Sequence, residues 1–292
     1  MSALASCYRA ERHLPDFLAS CAGQTIVDQV EVLLVHNDPT RAELEIVERF
    51  SQSHPGLVRH VVTPREPFTC SINRAISLAQ GEYLCIWNVD DLRTDDSLER
   101  MAQTLDSNQD VGFTYGDFAV VNERPSSRGE YVETPSFDRR EFVRSMIVGP
   151  FFMWRSELQS SIGAWDEQFM VGSDFDFAIR LALEVDGAKT DGLIGSYLNE
   201  GTGLSTSEDG VQAAECAAIV LRYGIYDKLD LTRLRAARRY RRDAILRLGE
   251  WIPLIELVPE RMRYASSKYS LATAALRTLK SGAWLRLIVR SS

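Results

Sequence analysis

The sequence predicts an α/β fold, a mostly parallel sheet with helices on both faces, followed by a helical C-terminal extension. Three observations lead there. From Ser2 to about Asn122, short apolar runs alternate with amphipathic stretches at the spacing of βα units. One of those runs, Tyr83–Trp87, is apolar throughout, as a strand covered on both faces must be, and then gives way abruptly to Asn88, Asp90 and Asp91. Finally, 292 residues with 45% hydrophobic content suffice for one large α/β domain with an appendage.

In chain order, Ala3–Ser6, Val30–Val35, Val58–Val62, Tyr83–Trp87 and Val111–Phe113 read as strands. Leu14–Cys21, Ala42–Ser53, Ser71–Ala79 and Leu98–Leu105 between them read as helices. Thr40 with Glu43 has capping-box spacing and Asp96 with Glu99 imitates it, so two helix starts have a local cause. After Asn122 the rhythm breaks. A polar turn cluster at Glu123–Gly129 precedes a short helix around Arg139–Met146 and an apolar strand at Phe151–Trp154. A helix then opens at Gly172 and runs to about Leu183, Thr190–Leu198 returns as a strand, and Gly201–Ser207 reads as a mobile loop. Helical periodicity resumes over Leu231–Leu248 and Leu271–Val289, with Pro253 and Pro259 at the join. The expected domains are a body, 1–207, whose halves are 1–122 and 123–207, and an extension, 208–292.

The net charge of −8 conceals an asymmetry. From Leu231 onward 14 Lys and Arg stand against 4 Asp and Glu, whereas the first 230 residues carry 19 against 37. An acidic body argues against nucleic acid as its ligand, and a basic tail is a handle for something anionic. Trp284, Leu285, Leu287, Ile288 and Val289 interleave there with Arg286 and Arg290, which suits packing on the body or on a second copy of the chain, and also a membrane interface. The five cysteines are odd in number and scattered, without the spacing of a zinc site, and read as reduced thiols. No apolar run approaches the roughly 20 residues that cross a bilayer, and no charged-then-apolar leader opens the chain. A cytoplasmic protein is expected, soluble or peripheral at the inner face of the membrane.

The chemistry concentrates where Tyr83–Trp87 ends. Open α/β sheets bind ligands beyond the carboxyl ends of their strands. An acidic pair in isolation is a solvated loop; after a buried strand it becomes a ligand. Hard cations such as Mg2+ or Mn2+ take oxygen atoms, commonly from one or two carboxylates and substrate phosphates, which suits Asp90 with Asp91 beside it. Asn88 can hydrogen-bond a ribose hydroxyl but brings no charge. A second acidic group, Ser173-Asp174-Phe175-Asp176, opens a helix, where an acid serves as a cap as readily as a catalyst.

Together these segments resemble the family 2 glycosyltransferases, inverting enzymes with the GT-A fold. The resemblance covers roughly Ser2 to Ser207. It rests on Ser6-Cys7-Tyr8-Arg9-Ala10-Glu11 with Leu14 and Gln24, on Val32-Leu33-Leu34-Val35-His36-Asn37-Asp38, and on Asn73, Ile76, Ala79 and Gly81-Glu82-Tyr83 leading into Asn88-Val89-Asp90-Asp91. Gly163-Ala164-Trp165-Asp166-Glu167 and Ser173-Asp174-Phe175-Asp176 complete it. The resemblance implies that Asn88, Asp90 and Asp91 hold a nucleotide-sugar and its metal, with Asn88 replacing the first carboxylate and Asp90 the expected ligand. It implies a nucleoside pocket at Tyr8, whose ring can stack on a base, and at His36 and Asn37. His36 stands where relatives carry an Asp that contacts a pyrimidine. Arg65, after the third strand, is either a diphosphate contact or an ordinary surface arginine. Asp174 matches the catalytic base, with Ser173 in place of the preceding acid, and Asp176 orients it. Trp165, Asp166 and Asp176 are expected to shape the acceptor pocket, and the Gly201–Ser207 loop to fold over the donor.

The expected activity is metal-dependent, inverting transfer of a sugar from a nucleotide diphosphate to a hydroxyl of a glycan or lipid-linked glycan, with Mn2+ or Mg2+ as cofactor. A non-catalytic nucleotide-sugar or glycan-binding module stays open because of Asn88 and Ser173. A sugar nucleotidyltransferase is disfavoured, since Ser6–Glu11 is not the Gly-rich, basic loop that cradles phosphates.

Overall fold

The computed structural model describes residues 1–124, 129–145, 147–200, 211–225, 244–247 and 250–258. The chain falls into two compact units, Met1–Glu208 and Asp209–Ser292. The first begins with β1 (Ser2–Cys7), α1 (Leu14–Ala22), β2 (Glu31–Asn37), α2 (Arg41–Ser53), β3 (Val58–Thr63), α3 (Phe68–Leu78) and β4 (Tyr83–Ile86), the predicted alternation. It continues with β5 (Leu92–Arg93), α4 (Ser97–Asp106), β6 (Val111–Val121), β7 (Glu130–Val132), α5 (Arg139–Phe142), β8 (Phe152–Arg155), α6 (Gln159–Ile162), α7 (Ser173–Glu184) and β9 (Asp186–Leu198). Among the described residues these strands form one sheet in the order β3-β2-β1-β4-β8-β6-β9-β5, with β7 against β6. Pairing is parallel from β3 to β4 and between β6 and β9; β8 runs antiparallel between β4 and β6.

Side chains of the first strands alternate between two cores. Ala3, Ala5, Cys7, Val32, Leu34, Tyr83, Cys85 and Trp87 meet Phe17, Val47 and Met101 of α1, α2 and α4 on one face. Leu4, Leu33, Val35, Leu84 and Ile86 meet Ile72 of α3 and Phe177 and Leu181 of α7 on the other. Both faces are covered, so these strands are unbroken apolar runs, each buried large side chain contributing about 1.5–3 kcal/mol. Register aligns the ends: Cys7 pairs with His36, His36 with Val62, and Leu4 with Ile86. The strand order reverses between β1 and β4, so the loops after these strands meet at the edge where such sheets bind ligands.

The Thr40–Glu43 capping box is formed, the Glu43 N–H donating to Thr40 Oγ1 at 3.2 Å and the Thr40 N–H to Glu43 Oε2 at 2.7 Å. Asp96 does not cap α4. Its carboxylate instead accepts from Thr94 Oγ1 and pairs with Arg100, four residues on. The strand expected at Val111–Phe113 runs on to Val121, because Gly116 admits Ile194 of β9 where a Cβ would collide. The helix expected over Arg139–Met146 ends at Phe142.

The second unit contains α8 (Val211–Arg222), β10 (Ala244–Arg247), β11 (Glu250–Pro253) and α9 (Leu254–Leu257). β10 and β11 pair antiparallel, which corrects the helix expected through Leu248; four residues of Ala-Ile-Leu-Arg are too few for periodicity to choose between helix and strand. The Gly201–Ser207 loop, the rest of the helical pattern over 231–243 and the whole of Leu271–Val289 lie outside the described residues. Among the described residues no helix is long and apolar enough to cross a membrane. All five cysteines are free thiols, and Cys7, Cys21 and Cys85 are buried.

Candidate active site

Trp87 remains in the core, and the chain then turns through Asn88–Asp91, closed by the Asp91 N–H donating to the Asn88 carbonyl at 3.0 Å. The Trp87 indole N–H donates to the Asp91 carbonyl at 3.1 Å and fixes the turn to the strand. The two acids differ. Asp91 is 1% exposed; its Oδ1 accepts the Leu198 N–H at 3.1 Å and its Oδ2 the Asn88 amide at 3.0 Å. Burial, then the charge of Asp90, push its carboxyl up to about 7. Asp90 is half-buried and accepts no hydrogen bond from the described residues. Sequence alone expects both acids as metal ligands. In the fold Asp91 braces the turn, and the oxygens left for a hard cation are the Asp90 carboxylate and the Asn88 side-chain carbonyl. That donor set fits Mg2+ or Mn2+, which bind through one or two protein oxygens and complete their shell with water and phosphate.

The residues expected around a nucleoside separate into an exposed pair and a buried frame. Tyr8 is 38% exposed, and Arg65 lies over its ring at 4.0 Å while donating from Nη1 to the Tyr8 hydroxyl at 2.5 Å. Asn37 is 1% exposed and faces inward. Its Nδ2 donates to Ser71 Oγ at 3.0 Å, and its Oδ1 accepts the Glu66 N–H at 3.0 Å, so it anchors the loop that carries Arg65. His36 is fully buried, with Nδ1 3.0 Å from His60 Nε2 and Nε2 3.7 Å from Glu43. Burial holds its pKa below the ordinary value, although Glu43 opposes this. Both side chains expected at the base thus occupy buried, bracing positions at the edge.

Glu43 shows what that support does: its Oε1 accepts the Ala10 N–H at 2.7 Å, tying the loop after β1 to α2. Burial alone would raise its pKa, but the Thr40 and Ala10 N–H groups outweigh it and keep the carboxyl below its ordinary value. Cys7, His36 and Glu43 are close enough together for a metal ion, yet both Glu43 oxygens already accept main-chain N–H groups, so the cluster is accounted for as a strut. Arg9 and Asp38, which follow β1 and β2, both have positive φ and pair at 3.2 Å. Strain of this kind collects at functional edges.

The second acidic group opens α7. Asp174 is half-buried, and its Oδ1 accepts the Phe175 N–H at 2.7 Å. Asp176, also expected at the acceptor, is fully buried and accepts from Arg180 Nε at 2.9 Å within α7. Trp165, expected in an acceptor pocket, is 2% exposed and stacks on Phe177 at 4.9 Å; it belongs to the core. Asp166 is half-buried and accepts the Gln168 N–H at 2.9 Å. Gly163, at φ +75°, supplies the left-handed turn that starts this segment, and Asn73 of α3 holds it by bonding both the N–H and the carbonyl of Trp165 at 2.8 and 2.9 Å.

Two basic residues near Asp90 escape sequence reasoning. His13, just before α1, is held below its ordinary pKa by burial and then by Arg12, with Asp90 opposing. Arg124 reaches the same edge because β6 runs to Val121; its Nη2 donates to the Ser196 carbonyl at 3.2 Å, two residues from the Leu198 N–H that binds Asp91. Its only sequence signal is one arginine in a polar turn cluster, which is no signal at all.

The model of the family described as "Glycosyl transferase family 2" matches residues 2–159. Over 174 residues the chain is 21% identical to the uncharacterized glycosyltransferase MJ1057 of Methanocaldococcus jannaschii, covering 58% of this chain and 60% of that protein. It is 23% identical over 175 residues to the chondroitin synthase of Pasteurella multocida, covering 60% of this chain and 18% of the synthase. Among solved structures it is similar to S. aureus TarS 1-349 in complex with UDP-GlcNAc, with a TM-score of 0.64 at 19% identity over 89% of this chain and 82% of that one. The mannosyltransferase PcManGT from Pyrobaculum calidifontis, in complex with GDP-Man and Mn2+, gives 0.55 at 18% identity over 98% and 80%. These likenesses establish the GT-A fold. With the family model spanning more than half of its residues, this protein belongs to glycosyl transferase family 2.

Proposed function

We propose that the protein transfers a sugar, with inversion, from a nucleotide diphosphate to a hydroxyl group of a glycan or lipid-linked glycan. The observation that carries this reading is the convergence of four strand ends on one sheet edge, where the Asp90 carboxylate, without a hydrogen-bond partner among the described residues, lies beyond β4 and the exposed ring of Tyr8 beyond β1. Tyr8 stacks the base and Arg65, released from the Tyr8 hydroxyl, meets the diphosphate. Asp90 and Asn88 would hold Mn2+ or Mg2+, which neutralises charge on the leaving diphosphate. Asp174 takes the proton of the attacking hydroxyl as its oxygen bonds to the anomeric carbon and the bond to the diphosphate breaks on the opposite face. The ligands of the similar structures, UDP-GlcNAc and GDP-Man with Mn2+, support a nucleotide-sugar and a divalent ion, and the likeness to the chondroitin synthase supports a glycan acceptor.

On this reading residues 1–207 are catalytic, 1–122 serving the donor and 123–207 the acceptor. The basic extension, 208–292, attaches a cytoplasmic enzyme to the inner face of the membrane. The test is a thermal-shift and calorimetric screen of UDP-, GDP-, dTDP- and CMP-sugars with and without Mn2+ or Mg2+. One nucleotide class is expected to stabilise the protein in a metal-dependent way, by about 2.7 kcal/mol at a hundredfold excess over Kd, and Asp90→Ala to abolish the metal dependence. Absence of binding by every nucleotide under every metal would overturn the assignment.

A further inference from the structure

We propose that Arg124 is a diphosphate-binding residue, supplying from the protein part of the positive charge that the site otherwise draws from a metal. This rests on the donor-site reading above and adds a residue to it.

The carboxylates of the strand-end turn are few. Asn88 is neutral, and both oxygens of Asp91 are occupied by the Leu198 N–H and the Asn88 amide, so Asp90 alone has a carboxylate without a described partner. A cation held through one carboxylate is held weakly, and a diphosphate needs further positive charge nearby. Arg124 is in place to provide it. Its guanidinium interacts electrostatically with Asp91, Asp90 and Asp16, yet forms no ion pair with any described residue. One bond, from Nη2 to the Ser196 carbonyl, fixes the side chain. Its Nη1 is buried and has no partner.

A guanidinium carries five donors in a planar fork that matches two phosphate oxygens at once. A half-buried fork with one anchoring bond and an orphaned donor has unused capacity for an anion of that shape. Of the other arginines near this edge, Arg12 pairs with Glu200 and Arg9 with Asp38, and Arg65 has to leave the Tyr8 hydroxyl before it can share the diphosphate with Arg124. The Ser196 carbonyl and the Leu198 N–H come from one segment of β9, so the strand that orients Arg124 also immobilises Asp91. The phosphate cation and the metal turn are therefore set by the same two residues' main chain.

The experiment is titration calorimetry of the full chain with UDP and GDP, and with UMP and GMP, in Mn2+ and in EDTA, for wild type, Arg124→Gln and Arg124→Lys. For whichever nucleoside diphosphate the wild type binds, Arg124→Gln is expected to weaken affinity at least tenfold, as loss of a charge-assisted hydrogen bond does. The corresponding monophosphate should change less than threefold, and the ratio of affinities in Mn2+ and EDTA should rise. Arg124→Lys, which keeps the charge but not the fork, should lose less than Arg124→Gln, again on the diphosphate alone. Equal weakening of mono- and diphosphate, or diphosphate binding within twofold of wild type with an unchanged metal ratio, would overturn the proposal while leaving the donor site intact. Failure of the wild type to bind any nucleotide would overturn the donor site and this proposal with it.

Discussion

Asp174 and Asp117 are both acids of the first unit, and their surroundings differ. Asp174 is half-buried at the start of α7, the position of the proposed base. Asp174→Asn preserves the bond to the Phe175 N–H but cannot accept a proton. The expected result is a fall in kcat of about 10²–10⁴-fold with donor affinity unchanged, measured by steady-state kinetics beside calorimetry. A non-catalytic binding module would show no turnover before or after the change. Asp117 of β6 is 4% exposed and accepts from Lys189, the Tyr131 hydroxyl at 2.5 Å and the Thr134 N–H at 2.7 Å. Burial opposes its ionisation, but Lys189, Tyr131 and Thr134 outweigh that and hold the carboxyl down at about 2. A depressed acid contributes stability that is present above its unfolded pKa near 4 and lost as the pH falls toward 2, here about 2.5 kcal/mol. Asp117→Asn should therefore destabilise the protein by about 2–4 kcal/mol at pH 7 in urea melts, and the gap to wild type should narrow between pH 4 and pH 2.

Between elements, the bond that matters most for the second half of the site is the clasp of α3 on the turn after Gly163. Asn73 satisfies the N–H and the carbonyl of Trp165 and reaches Glu167 at 3.0 Å, so the chain entering α7 is located by a helix about 90 residues earlier. Asn73→Ala leaves both main-chain groups of a buried residue without partners; a loss of about 2–4 kcal/mol in chemical denaturation is expected, with kcat falling more than donor affinity. The element scale is also where sequence reading succeeds and fails for visible reasons. β1, β2 and β4 are legible because both their faces are covered and their central residues are apolar, β3 from its valines alone, since Arg59 and His60 interrupt it, and the Thr40–Glu43 cap because its bonds span three residues. β6 is cut short because Gly116 and Asp117 look like an end of strand, whereas one admits Ile194 and the other is matched by Lys189. The acidic turn at the end of β4 is legible, but the difference between its two acids is not: Asp91 is claimed by Leu198, 107 residues away. His36, Trp165 and Asp176 carry the residue types of a site and occupy the interior, and only burial separates those cases.

At the scale of the whole molecule, among the described residues both cores of the sheet are formed by residues of the first unit, up to Tyr197. A segment with its own cores should fold alone. The charge follows the same division: the body is acidic, and the segment from Leu231 onward carries 14 Lys and Arg against 4 acids. Basic residues near an anionic leaflet contribute about 1 kcal/mol each, falling off within a Debye length, so attachment through this segment should be strong at low salt and weak at high salt. A chain truncated after Glu208 should then keep the nucleotide-dependent thermal shift of the full chain while losing any affinity for lipid. In co-sedimentation with phosphatidylserine-containing vesicles, the full chain is expected in the pellet at about 0.05 M salt and in the supernatant at about 0.5 M, and the truncated chain in the supernatant at both. Pelleting that survives high salt would point to apolar insertion by the Trp284–Val289 stretch instead of charge. A truncated chain that melts without a nucleotide shift would mean that the donor site needs residues beyond Glu208.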